Sequence, residues 1–184
     1  MDVLREVLGG FLGGSEKRTN PENRLGDVAK VALPIILYGL YKNTQNAKEK
    51  ESLERAVDNH RAGAKEGIET FMRSLAPGED KKMVEHVFRG RKDQVRENIA
   101  REAGVSQEEV DAVLEKLTPQ VMAMLAKEKE AGRSVEEVMR EQVTRPKAEG
   151  GEELLSMAKD FFEAGGSRQS LEGVAKNLLK SFLK

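Results

Sequence analysis

Apolar residues recur every three or four positions along most of this chain, and that spacing limits its possible folds more than any other feature. Between residues 107 and 131 the apolar positions are Val110, Val113, Leu114, Leu117, Val121, Met124 and Leu125. An α-helix gathers such positions on one face, whereas a half-buried strand alternates apolar and polar residues. Valine and isoleucine never alternate with polar residues over a useful length. We therefore predict an all-α protein of about eight or nine helices.

Local signals mark where several helices begin and where prolines interrupt them. The segments 106–109 and 134–137 each carry Ser-x-x-Glu, the capping-box pattern in which serine and glutamate bond to each other's backbone N–H groups. Pro34 predicts a break or kink in the helix that starts near residue 27. Pro119 predicts either a kink or a second helix start within 107–131.

The distribution of turn residues indicates a bundle with an appendage at each end. The predicted regions are an N-terminal helical arm and loop at 1–24, a compact multihelical bundle at 25–131, and a C-terminal amphipathic helical extension at 132–184. A linker is expected at about 145–151, where Pro146 and a Gly-Gly pair occur. Beyond the linker, 152–164 and 170–183 predict two amphipathic helices.

The composition excludes several kinds of site. The 184 residues include 31 Lys and Arg against 32 Asp and Glu, a net charge of −1, which argues against a strongly basic nucleic-acid-binding surface. The absence of cysteine excludes disulfides, cysteine–zinc sites, iron–sulfur clusters and thiol catalysis. His60 and His86 are too few for a multi-histidine metal site. We expect no metal, no cofactor and no enzymatic activity, and the sequence leaves open whether a small-molecule ligand binds.

The longest apolar stretch, at 31–41, is shorter than the ~20 residues that span a bilayer. A buried core helix is the better interpretation of this stretch. No secretory signal is visible at the N-terminus, where charged residues interrupt the apolar ones. These observations predict a cytoplasmic protein that is not an integral membrane protein.

Several runs of residues also carry a family resemblance. They are Met83 to Gly90, Ala103 to Ser106, Leu117 to Leu125, Leu33 to Leu40 and Val57 to His60. Together they resemble the bacterial YidB-like domains of unknown function, over roughly residues 1–130 and best over 83–125. The resemblance implies a compact multihelical domain. It implies no activity and no catalytic residues, and the tail from residue 133 onward has no counterpart in the family.

A helix-turn-helix pattern within 93–117 gives the alternative function, regulatory nucleic-acid binding. Ala100, Gly104 and Val110 stand at the separations such motifs use. The segment 106–117, which would have to read DNA, carries a net charge of −3, and this charge would repel phosphates. We therefore favour a packed helical corner and consider nucleic-acid binding unlikely. The alternative depends on the basic residues of 89–101, namely Arg89, Arg91, Lys92, Arg96 and Arg101.

The two C-terminal helices carry the strongest interaction signal. Residues 152–163 sum to −3 and residues 168–184 to +3, so the two helices could pair through facing apolar stripes. The candidate interaction face consists of Leu154, Leu155, Phe161, Phe162, Leu171, Val174, Leu178, Leu179 and Phe182. It could dock on its own core, on a second subunit, or on a membrane surface or another protein. We predict a non-enzymatic helical interaction or scaffold module that forms homo-oligomers.

Overall fold

The computed structural model of the chain describes residues 21–61 and 68–144, together with Val7, Ser156, Ala158, Lys159 and Phe162. These residues form helices and turns without any strand, so the all-α prediction is confirmed. The helices bounded within the described ranges are α1 (Pro21–Thr44), α2 (Ala47–Asn59), α3 (Ile68–Ser74), α4 (Glu79–Phe88), α5 (Lys92–Ala103), α6 (Gln107–Glu130) and α7 (Val135–Thr144).

Helix α6 forms the centre of the bundle and packs against each of the other six helices. From Leu117 to Ala126 every residue of α6 except Gln120 is buried. A helix that is buried on nearly all sides is a core helix rather than an amphipathic surface helix. Helix α1 packs beside α6 and is itself buried almost continuously from Val28 to Leu40. The apolar stretch at 31–41 is therefore a core helix, as its length predicts.

The chain stays helical through both internal prolines. Pro34 lies inside α1 and Pro119 lies inside α6, so the break considered at Pro34 and the second start considered at Pro119 do not occur. A proline in a helix loses one backbone hydrogen bond and crowds the preceding turn. On both sides of each proline the helix buries apolar side chains in one core, and this burial offsets the loss.

The predicted capping boxes are confirmed. The Glu109 N–H donates to Ser106 Oγ at 3.2 Å, and the Ser106 N–H donates to Glu109 Oε2 at 2.8 Å. Ser134 and Glu137 repeat the arrangement, with both backbone bonds at 3.1 Å. The α5–α6 corner turns at Gly104, whose φ of 64° is in the left-handed region that glycine adopts readily.

The packed core extends past residue 131, where the sequence suggests that the bundle ends. Val135, Val138 and Met139 of α7 are buried, and α7 lies along α1. They join the core because the apolar positions of α7 follow helical spacing on one face. Val7 of the predicted arm is helical and buried in the same core. The rest of the arm before residue 21, the linker at 145–151 and the helix at 170–183 lie outside the described residues.

Candidate interaction site

A cleft lined by aromatic rings forms where α1 passes the end of α4. Gly39 of α1 faces Val87 in the last turn of α4, and Tyr38 and Phe88 are their neighbours on the same two helices. A β-carbon on Gly39 would lie 3.1 Å from Val87 Cγ1 and 3.4 Å from the Val87 carbonyl oxygen. The two helices approach this closely because Gly39 has no side chain.

A buried asparagine fixes the end of α4 against α1. The Asn43 Nδ2 group donates to the carbonyl oxygens of His86 and Val87 at 3.2 and 3.3 Å. The last carbonyls of a helix lack partners within the helix, so Asn43 satisfies two groups that would otherwise be unpaired. Arg89 donates from Nε to Asn43 Oδ1 at 3.2 Å and adopts a left-handed φ of 44° as the chain leaves α4. These contacts hold one wall of the cleft in place.

Phe162 occupies this cleft. Its ring centroid lies 5.8 Å from that of Tyr38, in an edge-to-face arrangement with an interplanar angle of 70°. The centroid of Phe88 is 6.2 Å away, and the side chain of Phe162 is buried. Edge-to-face and tilted pairs at these separations are favourable because the positive ring edge meets the negative face of its neighbour. The cleft therefore suits a phenylalanine in shape and in ring electrostatics.

Arg91, at the start of α5, contacts both the backbone and the ring of Phe162. Its Nη1 atom donates to the Phe162 carbonyl oxygen at 2.8 Å. Its guanidinium carbon lies 5.2 Å from the centroid of the Phe162 ring, within the range of a cation–π interaction. One side chain thus satisfies a backbone acceptor and covers the aromatic ring.

The described residues near Phe162 show which face of their helix docks. Ser156, Ala158, Lys159 and Phe162 are helical; Ala158 and Phe162 are buried, whereas Ser156 and Lys159 are exposed. Residues four apart lie on the same side of a helix, so the 158/162 face points into the bundle. Phe162 belongs to the predicted interaction face. The other eight residues of that face lie outside the described part of the chain.

Sequence reasoning missed the residues that receive Phe162. Tyr38 and Gly39 appear in the sequence only as part of an apolar stretch, and Arg91 only as part of a basic run. Helical periodicity reflects only residues close together in the chain, so it cannot indicate contacts between segments more than 70 positions apart. The one usable signal was the amphipathic stripe at 152–164, which indicates a docking face but not what it docks on.

The cations of the basic run at 89–101 have polar partners within the chain. Arg96 donates to Asp111 at 3.1 Å and pairs with Asp93 at 2.9 Å, and the hydrogen bond to Asp111 raises the pKa of Arg96. Lys92 pairs with Glu85 at 3.5 Å. The remaining contacts are Arg89 to Asn43, Arg91 to the Phe162 carbonyl, and Arg101 to Asn98.

The two histidines lie apart, against different neighbours. The His60 ring is 5.5 Å from that of Phe71, edge to face, and His86 Nε2 is 3.4 Å from Arg89 Nη2. Burial lowers the pKa of both histidines, and for His86 the charge of Arg89 lowers it further.

In the described ranges, no cluster of three or more His, Cys, Asp or Glu residues could hold a metal ion. Nor does any helix there have the length and apolar character to cross a bilayer.

Comparison with protein-family models matches residues 6–128 to DUF937, described as a bacterial protein of unknown function. The YidB-like resemblance seen in the sequence is consistent with this family. The match covers the cleft residues on α1, α4 and α5 but ends before Phe162. No curated protein and no solved structure matches the chain.

Proposed function

This chain belongs to that bacterial family of unknown function, and we propose that within it the protein is a non-enzymatic helical interaction module that self-associates through its C-terminal segment. The observation that carries the proposal is the seating of Phe162 between Tyr38, Gly39 and Phe88. An aromatic anchor in a fitted apolar cleft is the feature by which folded domains recognise amphipathic helices.

The sequence that follows α7 supports association between copies. Between Thr144 and the helical residues that lead to Phe162 stand Pro146 and the pair Gly150-Gly151, which favour a turn or linker over a continuous helix. A segment joined in this way can make the same contacts with its own bundle or with a second copy. The opposite net charges of 152–163 and 168–184 would also favour pairing between C-terminal segments.

The environment of the corner at 93–117 favours the interaction module over nucleic-acid binding. Arg96 and Lys92 are engaged with acidic side chains of this chain rather than presented singly to a phosphate backbone. The first turn of α6, which would enter a DNA groove, exposes Gln107 and Glu108. Asp111 on the same helix pairs with Arg96, and this ion pair joins α6 to α5 at the corner between them.

Sedimentation velocity of the full chain at tens of micromolar tests the proposal. We expect an oligomer that dissociates when Leu178→Asp and Phe182→Asp place charges on the C-terminal apolar stripe. Ser156→Asn is the control, because it changes an exposed side chain, leaves the net charge of 152–163 at −3 and should leave the oligomer intact. A full chain that sediments only as monomer would refute self-association. Salt-sensitive binding to random duplex DNA would instead support the nucleic-acid alternative.

A further inference from the structure

We propose that the turn between α4 and α5 is a pH-sensitive switch, in which protonation of His86 opens the turn and releases Phe162 from the cleft while the bundle stays folded. The contacts involved lie within one chain, so the switch does not require the proposed self-association. They lead from the ring of His86 through Arg89 to Arg91, which holds Phe162.

The ring of His86 lies at the end of α4 beside the guanidinium of Arg89. His86 Nε2 is 3.4 Å from Arg89 Nη2, and burial and the charge of Arg89 both lower the pKa of His86. From α2 the negative charge of Glu49 opposes this shift, and α1 contributes the uncharged Asn43. A neutral ring can accept a hydrogen bond from Arg89, whereas a protonated ring has only donors and carries a second positive charge. Protonation therefore drives the guanidinium away from His86.

The backbone of Arg89 adopts a conformation that its contacts have to maintain. Of the described residues other than glycine, it alone has a positive φ, 44°. Such a conformation is unfavourable for arginine and persists only where the surroundings hold it. The guanidinium makes the holding contacts, by donating from Nε to Asn43 Oδ1 at 3.2 Å and by lying against the ring of His86. Repulsion from a protonated His86 acts directly against them.

The same turn positions the arginine that holds Phe162. The Arg91 N–H donates to the Phe88 carbonyl oxygen at 3.0 Å and closes a β-turn. The two central residues of this turn, Arg89 and Gly90, both have positive φ, so a change in the backbone of Arg89 moves Arg91. Arg91 donates to the Phe162 carbonyl oxygen at 2.8 Å and lies over its ring at 5.2 Å. Phe162 therefore loses two contacts when the turn opens.

Thermodynamic linkage makes the effect reciprocal, and NMR titration of the two histidines in the full chain measures it. If protonation of His86 releases Phe162, then removal of the Phe162 ring favours protonation of His86. We expect Phe162→Ala to raise the measured pKa of His86 by at least ~0.5 and to leave that of His60 unchanged. Spectra of the His60→Gln and His86→Gln chains assign the signals. An unchanged pKa of His86 in the Phe162→Ala chain would overturn the switch.

The release itself is measured as a distance, since the chain has no cysteine of its own and can be labelled at chosen positions. Spin labels on Lys159→Cys and Lys116→Cys, two exposed positions, report the separation between the segment that carries Phe162 and helix α6. Dilution with unlabelled chain restricts the measurement to pairs within one chain. We expect the population at the neutral-pH distance to fall at least ~2-fold between about pH 7.5 and about pH 5.5.

The two histidines supply a matched pair of variants for this measurement. His86→Gln should remove the pH dependence of the distance, whereas His60→Gln should retain it, because the ring of His60 packs against Phe71 instead. Glu49→Gln should move the midpoint of release to lower pH, since the charge of Glu49 favours protonated His86. A distance that does not change in acid, a release that survives His86→Gln, or a loss of helical circular dichroism over the same pH range would each overturn the switch.

Discussion

Gly39 and Phe162 approach each other so closely that a β-carbon on Gly39 would lie 3.1 Å from Phe162 Cε2. The same β-carbon would lie 3.1 Å from Cγ1 of Val87. Val87 is β-branched and stiff, whereas Phe162 belongs to a segment outside the bundle helices. The side chain of Val87 and the ring of Phe162 therefore both border the space beside Gly39. A side chain added at Gly39 should displace the ring of Phe162 more than it displaces Val87.

Replacing Gly39 tests this geometry. Gly39→Leu should lower the free energy of unfolding by about 2–3 kcal/mol, because the cleft has no room for the new side chain. Gly39→Ala should cost much less, since alanine regains about 1 kcal/mol of helix propensity. Urea unfolding would measure both. In a Phe162→Ala background the cost of Gly39→Leu should shrink by at least ~0.5 kcal/mol, and an unchanged cost would show that the two residues are not coupled.

The two carboxylates that contact Arg96 should differ in their effect on stability. Asp111 joins α6 to α5 at 3.1 Å and is 24% exposed, whereas Asp93 lies one turn from Arg96 on the same helix and is 87% exposed. Asp111→Asn should lower the free energy of unfolding by about 1–2 kcal/mol, and Asp93→Asn by less than about 0.5 kcal/mol. Thermal and urea unfolding of the pair would check this, and equal losses would contradict a bracing role for Asp111.

Arg133 connects two carboxylates where the chain turns from α6 into α7. It donates to Glu128 at 2.6 Å and also pairs with Glu141. The Glu128 side chain is only 7% exposed, so Arg133→Met would leave a buried carboxylate without its cation. We expect a loss of about 3 kcal/mol. Arg55→Met is the control: Arg55 pairs with Glu51 at 70% exposure and should contribute less than about 0.5 kcal/mol. Similar losses in the two variants would contradict this account.

Both histidines should make the fold less stable in mild acid. Burial lowers the pKa of His60 and His86; Glu79 opposes the shift at His60, and Glu49 opposes it at His86. The unfolded chain therefore binds protons first, so stability is complete above the unfolded pKa of about 6.5 and falls as pH drops below it. Urea unfolding at about pH 7 and about pH 6 would measure this loss. A variant that carries both His60→Gln and His86→Gln should lose less stability over this pH range. An identical loss would show that carboxylates, rather than the histidines, cause it.

The features that the sequence predicts best are those determined by residues a few positions apart along the chain. The capping pair Ser106 and Glu109 lies within four positions, so the start of α6 and the corner before it were predictable. Pro34 suggested a break because local rules ignore the burial of the helix on both of its sides. The role of Arg91 was not predictable, since its partner Phe162 lies 71 positions away. The pattern at 152–164 predicts an amphipathic face, but the cleft that receives Phe162 exists only once α1, α4 and α5 have assembled.

The distance along the chain between the cleft and its occupant also sets an order of events during synthesis. Gly39, Val87 and Arg91 leave the ribosome well before Phe162, because translation proceeds from the N-terminus. Domains form as their residues emerge, so the cleft can assemble while its own anchor is still being translated. The seating of Phe162 therefore follows the appearance of the cleft that receives it.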